Sequence, residues 1–289
     1  MEDSAPKEES NVDFDFQSLH PLPGLKHPDN IGSLRIPAED GSYILEHDNV
    51  AALGGLNPFS PKFKSLGLRY LRLMIEHSEL LPNHKILDVG CGTGRIAKVL
   101  EDFLDDGKYD GFDINEHFVE YCKSTINDKR FNFCFCDVQN GEYNPSGNID
   151  PEKFKFPYDD LSFDRVCAIG VFNHLELPWA TQYIREITRV LKPKGIFFGT
   201  FFLLNGISMP YARNREDHPL KFEVETNDAW FEYKDRPLFN VALAEQPIRR
   251  TFINNGLMIK EPIRYGNWCG SKNAIIGHDV IVAIKGQWK

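Results

Sequence analysis

The stretch Ile86-Leu-Asp-Val-Gly-Cys-Gly-Thr-Gly-Arg-Ile-Ala97 constrains the fold of this chain more than any other. A short apolar run passes one acid, Asp88, places glycine at 90, 92 and 94, and then takes up helical spacing. That order describes a buried strand ending in a tight turn that opens a helix. Glycine is needed where a backbone turns with positive φ or comes close to a ligand. A helix start also offers N–H groups that have no partner within the helix. Gly90, Gly92 and Gly94 therefore read as a small-molecule cradle at the carboxyl end of a strand. The plainer alternative is an ordinary glycine turn.

The rest of the chain supplies a frame for that turn. Ser60-Pro61 looks like a helix start, and Phe63, Leu66, Tyr70, Leu73, Met74 and His77 recur at helical spacing. Strands are expected at 109–113, 131–136, 163–170 and 195–202, with helices at 95–103, 116–125 and 180–191 between them. A helix from 247 and strands over 257–263 and 279–284 follow. Alternating strands and helices imply an α/β fold with a doubly wound, mostly parallel sheet and helices on both faces. Seven strands are expected. The last two lack a helix between them and so should pair antiparallel. Residues 1–15 read as a disordered tail, and 16–82 as an N-terminal arm and helix, or a flexible tail. Residues 83–289 read as the ligand-binding domain, with an insertion at about 204–245 forming a cap.

Composition narrows the partners. The formal net charge of −9 argues against a broad basic surface, so no nucleic acid is expected. No run of about 18 apolar residues marks a membrane span. The acidic start, Met1-Glu-Asp-Ser, lacks the character of a signal or transit peptide. The six cysteines make no disulfide framework and read as buried thiols, which fits a cytoplasmic protein. Cys134 and Cys136 are not taken as a metal pair, and no metal is expected.

Which molecule would the turn hold? The spacing is G-x-G-x-G, whereas the dinucleotide fingerprint is G-x-G-x-x-G. Asp88 would repel a pyrophosphate and attract an ammonium. Asp113 lies about 20 residues on, at the end of the second strand, where an acid meets ribose hydroxyls in nucleotide-binding α/β domains. Asp137-Val138 closes the third strand. The glycine motif, Phe156-Pro-Tyr-Asp-Asp-Leu-Ser-Phe-Asp164 and Arg185-Glu-Ile-Thr-Arg-Val-Leu-Lys-Pro-Lys-Gly195 occur in the order found in class I S-adenosyl-L-methionine (SAM)-dependent methyltransferases. The chain resembles that Rossmann-like family strongly over about 84–203, and by pattern only over 246–285.

The resemblance implies that SAM is the cofactor. Asp88 with Gly90, Gly92 and Gly94 would hold its amino-acid end, Asp113 the ribose and Asp137 the adenine amino group, with Val138 against the ring. Cys91, Ile114, Gly170 and Phe172 complete the expected cofactor set. The segment Gly170-Val-Phe-Asn-His-Leu175 should face the sulfonium. The Asn-Pro-Pro-aromatic signature of amino-directed nucleic-acid methyltransferases is absent there. His174 is the candidate base, since imidazole titrates near neutral pH. The alternative is a histidine that only orders its loop.

The expected reaction is methyl transfer to an oxygen, in preference to nitrogen or carbon, of a small or medium organic acceptor. A protein or RNA methyltransferase, and a non-catalytic SAM-binding protein, are the competing readings. A nicotinamide enzyme is disfavoured by Asp88 and the glycine spacing. Trp268 is read as a pocket wall or as packing, and the aromatics of 230–239 as a substrate lid or a satellite core. The arm before Pro61, the turn-rich excursion 139–162 and residues 204–245 resemble the family least and are expected to decide the acceptor.

Overall fold

The computed structural model describes Pro58 and residues 61–214, 220, 222–269 and 276–286. The expected tail and most of the expected arm lie outside the described residues. Helix α1, Pro61–Ser78, comes first. Tyr70, Leu71, Leu73 and Met74 are buried on its inner side. Five strands then alternate with three helices: β1 Lys85–Val89, α2 Arg95–Phe103, β2 Lys108–Asp113, α3 Glu116–Thr125, β3 Phe131–Phe135, β4 Phe163–Ala168, α4 Leu177–Val190 and β5 Leu191–Phe201. A small unit follows, with β6 Leu203–Leu204, α5 Ser208–Asn214, β7 Val224–Glu225, β8 Ala229–Phe231 and β9 Val241–Ala244. The chain returns to the main sheet through α6 Glu245–Asn254, β10 Leu257–Ile259 and β11 Asp279–Lys285.

The main sheet has seven strands in the order β10-β11-β5-β4-β1-β2-β3. Its β1–β2, β1–β4, β2–β3 and β4–β5 pairs are parallel. Strand β11 runs antiparallel to both β5 and β10. The doubly wound, mostly parallel seven-stranded sheet inferred from sequence is therefore the observed one, with its last pair antiparallel. Side chains alternate across β1. Leu87 and Val89 enter the core cluster that holds Phe197 and Ile187, while Ile86 enters the opposite cluster with Leu71, Leu100 and Tyr109. Both faces are covered, as an all-parallel region requires.

Three boundaries differ from expectation for identifiable reasons. Helix α4 begins at Leu177, three residues before the expected Ala180, because Pro178 is tolerated in a first turn. Strand β5 starts at Leu191 instead of Gly195. Its Lys192-Pro-Lys-Gly195 segment loops out between the Phe163↔Leu191 and Arg165↔Ile196 pairs, with Lys194 in the left-handed region at φ 64°. Strand β10 ends at Ile259, since Glu261-Pro262 follows and proline gives a sheet no N–H.

The 204–245 region carries its own four-stranded sheet, β6-β9-β8-β7. Phe202, Leu204, Trp230, Ala242, Trp268 and Cys269 bury a third core against it. Trp268 packs on Phe202 with ring centroids 5.1 Å apart and donates its indole N–H to Asp279 Oδ2 at 2.8 Å, so it is packing and not a pocket wall. Among the described residues no helix is long and apolar enough to cross a membrane.

Candidate active site

Strand order reverses between β1 and β4, and in open α/β sheets ligands bind outside the carboxyl ends at such a point. A cavity of about 300 Å³ opens there. Its floor is the glycine turn. The N–H groups of Gly90 and Cys91 both donate to the Phe112 carbonyl at 2.9 Å, folding the turn over the end of β2. Gly90, Gly92 and Gly94 have φ of 70°, 53° and 80°, a region open to glycine at little cost. A Cβ on Gly90 would stand 2.5 Å from Val171 Cγ2, so the turn and the segment after β4 meet without room for a side chain.

Asp113 is the acid of this cavity wall. Its Oδ2 accepts from Gly92 N at 2.7 Å and its Oδ1 from Asn115 N at 2.9 Å. The carboxylate thereby fixes both the glycine turn and the start of α3. Burial pushes its pKa up to about 6 against the pull of these backbone donors. Ile114, Gly170 and His174 also line the cavity. The structure thus brings together Gly90, Gly92, Asp113, Ile114, Gly170 and His174 from the expected set.

Asp88, Cys91, Gly94, Asp137, Val138 and Phe172 are not on the cavity wall. Asp88 lies on the Ile86 face of β1, beneath the turn. It is 2% exposed, with Oδ2 accepting from the Tyr109 hydroxyl at 2.8 Å and Oδ1 from the Cys167 thiol at 3.4 Å. Burial raises its pKa to about 6. Both its oxygens accept from side chains beneath the turn, and the cavity wall does not include it. Cys91 and Gly94 belong to the turn but face the α1–α3 layer, where a Cβ on Gly94 would meet Cys122 Sγ at 3.1 Å.

Asp137 is partly exposed, and its oxygens accept from Asn144 Nδ2 at 3.1 Å and Asn148 Nδ2 at 2.6 Å. It staples the 139–149 excursion to the end of β3. Side-chain bonds from Asn148 and Asn144 hold its pKa below the usual range. Val138 and Phe172 are core residues, and Phe172 stacks on Phe201 at 4.3 Å.

His174 sits where three segments meet. Its Nδ1 is 3.0 Å from the Leu238 carbonyl, which can only accept, so Nδ1 carries the proton. Nε2 is then an acceptor with a single lone pair, which Asn173 Nδ2 at 2.9 Å and the Tyr143 hydroxyl at 3.3 Å share. Burial lowers the His174 pKa, so the ring is neutral at neutral pH. Tyr143 is set by a tight turn in which Asn140 Oδ1 accepts from Glu142 N and Tyr143 N at 2.9 and 3.1 Å. A Glu142–Arg236 ion pair ties this turn to the 204–245 unit.

Several wall residues were not singled out in the sequence, Asn140, Asn173 and Asn240 among them, whereas Phe239 is one of the 230–239 aromatics read as a lid or a satellite core. Asn173 stood inside the segment expected to face the ligand, and that was the available signal. His278 stacks on Phe202 at 4.7 Å, and burial drives its pKa down to about 4.

The glycine cradle and the buried acid at the end of β2 suit a nucleoside carrying an amino-acid end. Comparison with known proteins gives the same class. Residues 87–199 match the methyltransferase domain family. The malonyl-[acyl-carrier protein] O-methyltransferase of Acetivibrio thermocellus is 28% identical over 102 residues, which cover 31% of this chain and 36% of that protein. The phthiotriol/phenolphthiotriol dimycocerosates methyltransferase of Mycobacterium tuberculosis is 29% identical over 117 residues, covering 40% of this chain and 37% of it. The chain thus spans well under half the length of these relatives. A SAM-dependent methyltransferase structure from Methanosarcina mazei superposes with a TM-score of 0.50 at 19% identity, over 73% of this chain and 97% of that one, and shows the shared fold. Residues 87–199 thus match a methyltransferase domain, and the sheet shares the fold of SAM-dependent methyltransferases. The cofactor is S-adenosyl-L-methionine.

Proposed function

We propose that the protein transfers a methyl group from SAM to an oxygen of a small or medium organic acceptor. The observation that carries this reading is the single cavity wall in which the glycine turn and Asp113 stand opposite the Tyr143–His174–Asn173 corner. SAM supplies an electrophilic methyl on a sulfonium. Asp113 accepts from the ribose hydroxyls, and Gly90 and Gly92 admit the amino-acid end close to the backbone. Ile114 and Gly170 flank the cofactor. His174 orders Asn173 and Tyr143 through its fixed tautomer. The 204–245 unit covers the acceptor side through Phe239 and Asn240.

Support for a small acceptor comes from the cavity of about 300 Å³, which two segments outside the family core, 139–162 and 204–245, help to wall. Support for oxygen as the acceptor atom comes from one relative's name, malonyl-[acyl-carrier protein] O-methyltransferase. Isothermal calorimetry with SAM tests the cofactor reading, and a screen of small acceptors for S-adenosylhomocysteine release tests the reaction. Absence of SAM binding would sink the proposal.

A further inference from the structure

The acceptor side of the cavity has an uneven hydrogen-bond inventory. His174 Nδ1–H is used on the Leu238 carbonyl. Nε2 takes its donors from Asn173 and Tyr143. With its amide nitrogen so committed, Asn173 turns its Oδ1 elsewhere. That oxygen is buried and has no partner among the described residues, and the whole side chain is 4% exposed. The Tyr143 oxygen keeps its lone pairs once its proton is given to Nε2. The corner therefore holds one buried acceptor, Asn173 Oδ1, that no donor among the described residues satisfies. A buried polar group without a partner is uncommon, and where one occurs at a site it points to a ligand.

We propose that the methyl acceptor is a neutral alcohol or phenol whose attacking hydroxyl donates into this corner, and that Tyr143 takes its proton while passing its own to His174. This rests on the methyl-transfer reading above. A carboxylate acceptor brings no proton and leaves Asn173 Oδ1 unpaired. A hydroxyl brings the one donor the corner lacks.

The step balances as follows. A lone pair on the acceptor oxygen forms the new O–C bond to the methyl carbon, and the C–S bond breaks with its electrons left on sulfur. The acceptor's O–H proton moves to Tyr143 Oη. The Tyr143 proton moves to His174 Nε2, giving an imidazolium that later loses a proton to water. Burial disfavours that imidazolium, and the Leu238 and Phe239 carbonyls and the Glu142 carboxylate offset part of the cost. Other titratable groups near the pair are His278, Asp113 and Arg236. Tyr143 is the catalytic residue in this scheme, because it touches the acceptor. Asn173 holds the hydroxyl, and His174 positions both.

The test uses the full-length protein, SAM, and four acceptor probes: phenol, 4-nitrophenol, benzyl alcohol and benzoate, with S-adenosylhomocysteine read by mass spectrometry. The hydroxyl probes should be methylated and benzoate should not. Tyr143→Phe should lower kcat for phenol by roughly 100-fold, the scale of lost general-base assistance. At about pH 6, where 4-nitrophenol is still mostly protonated, it should lower kcat for that probe far less, since a more acidic hydroxyl needs less help from a base. Calorimetric SAM affinity should stay within about twofold. His174→Gln should reproduce the same split, which keeps the test open if one variant folds poorly. Equal losses for both phenols would mean that Tyr143 is only structural and would overturn the relay. Methylation of benzoate, or of none of the hydroxyl probes by a protein that binds SAM, would overturn the assignment of acceptor class. Failure of the wild type to bind SAM would overturn the underlying reading as well.

Discussion

Asp113→Asn is the sharpest probe of the cofactor half of the site. The carboxylate is 8% exposed and gives one oxygen to Gly92 N and the other to Asn115 N. Burial raises its pKa from 3.8 to about 6. A shift of two pH units corresponds to about 3 kcal/mol of penalty on the charged form. The amide removes that penalty. It also turns an NH2 group toward one of the two backbone donors, which costs about 1–3 kcal/mol. The two effects nearly cancel, so the free protein should change its melting temperature by no more than about 5 °C, at about 2–4 °C per kcal/mol for a domain of this size.

Binding should respond differently. The ribose loses a charged acceptor, worth about 2 kcal/mol, so SAM affinity measured by calorimetry should fall roughly 30-fold. The pH dependence gives a second reading. The folded pKa lies above the unfolded one, so this group's stability contribution is fully present below about pH 4 and lost as pH rises through about 6. The variant should lack that slope. SAM affinity of the wild type should conversely weaken as pH falls through about 6. An Asn variant that binds SAM within threefold of the wild type, or that loses more than about 10 °C without ligand, would refute the reasoning: the acid would then be a scaffold and not a ribose ligand.

Other residues offer independent checks. Gly90→Ala sets a Cβ at φ 70° against Val171 Cγ2, and should lower SAM affinity at least tenfold by calorimetry while costing about 1–2 kcal/mol of stability. Tyr109→Phe leaves the buried Asp88 carboxylate short of its phenol donor, and should destabilise the protein by about 1–3 kcal/mol in denaturant titrations at pH 7.5. Trp268→Phe removes a buried indole and its bond to Asp279, and should cost about 2–3 kcal/mol while leaving SAM affinity unchanged. A loss of SAM affinity in that variant would return Trp268 to the pocket wall.

The fold was legible because its signals are local. Glycines 90, 92 and 94, the caps and the alternation of apolar runs each act within a few residues, and helix α3 at Glu116–Thr125 falls where its pattern predicts. Asp113 was legible for the same reason, as the last residue of a strand in a known relation to the turn. The direction of the Asp88 side chain was less legible, because it depends on a single strand face. Position along β1 puts it near the ligand, but the period of two puts its side chain with Ile86, on the side of Tyr109 and Cys167. Whether a carboxylate two residues before a glycine turn faces the ligand or the helical layer is decided by that parity together with what the neighbouring strands present. A tyrosine on β2 and a cysteine on β4 present a hydroxyl and a thiol, and the acid closes on them.

The acceptor corner was illegible for the opposite reason. Tyr143 lies 31 residues from His174, and Leu238 lies 64 residues from it. No periodicity links the three. What brings them together is a chain of local locks, each cheap to form: the Asn140 turn that raises Tyr143, the Asp137 staple that fixes the excursion, and the Glu142–Arg236 pair that holds the 204–245 unit against it. The same division has a functional consequence. The cofactor half is built into the sheet and its first turns, so it can hold SAM whatever surrounds it. The acceptor half is assembled from segments that pack on that sheet, and a change of one lock would re-aim Tyr143 without disturbing the glycine cradle. Acceptor choice can therefore drift among relatives while the cofactor site stays fixed, and similarity confined to residues 87–199 carries the cofactor across but not the acceptor.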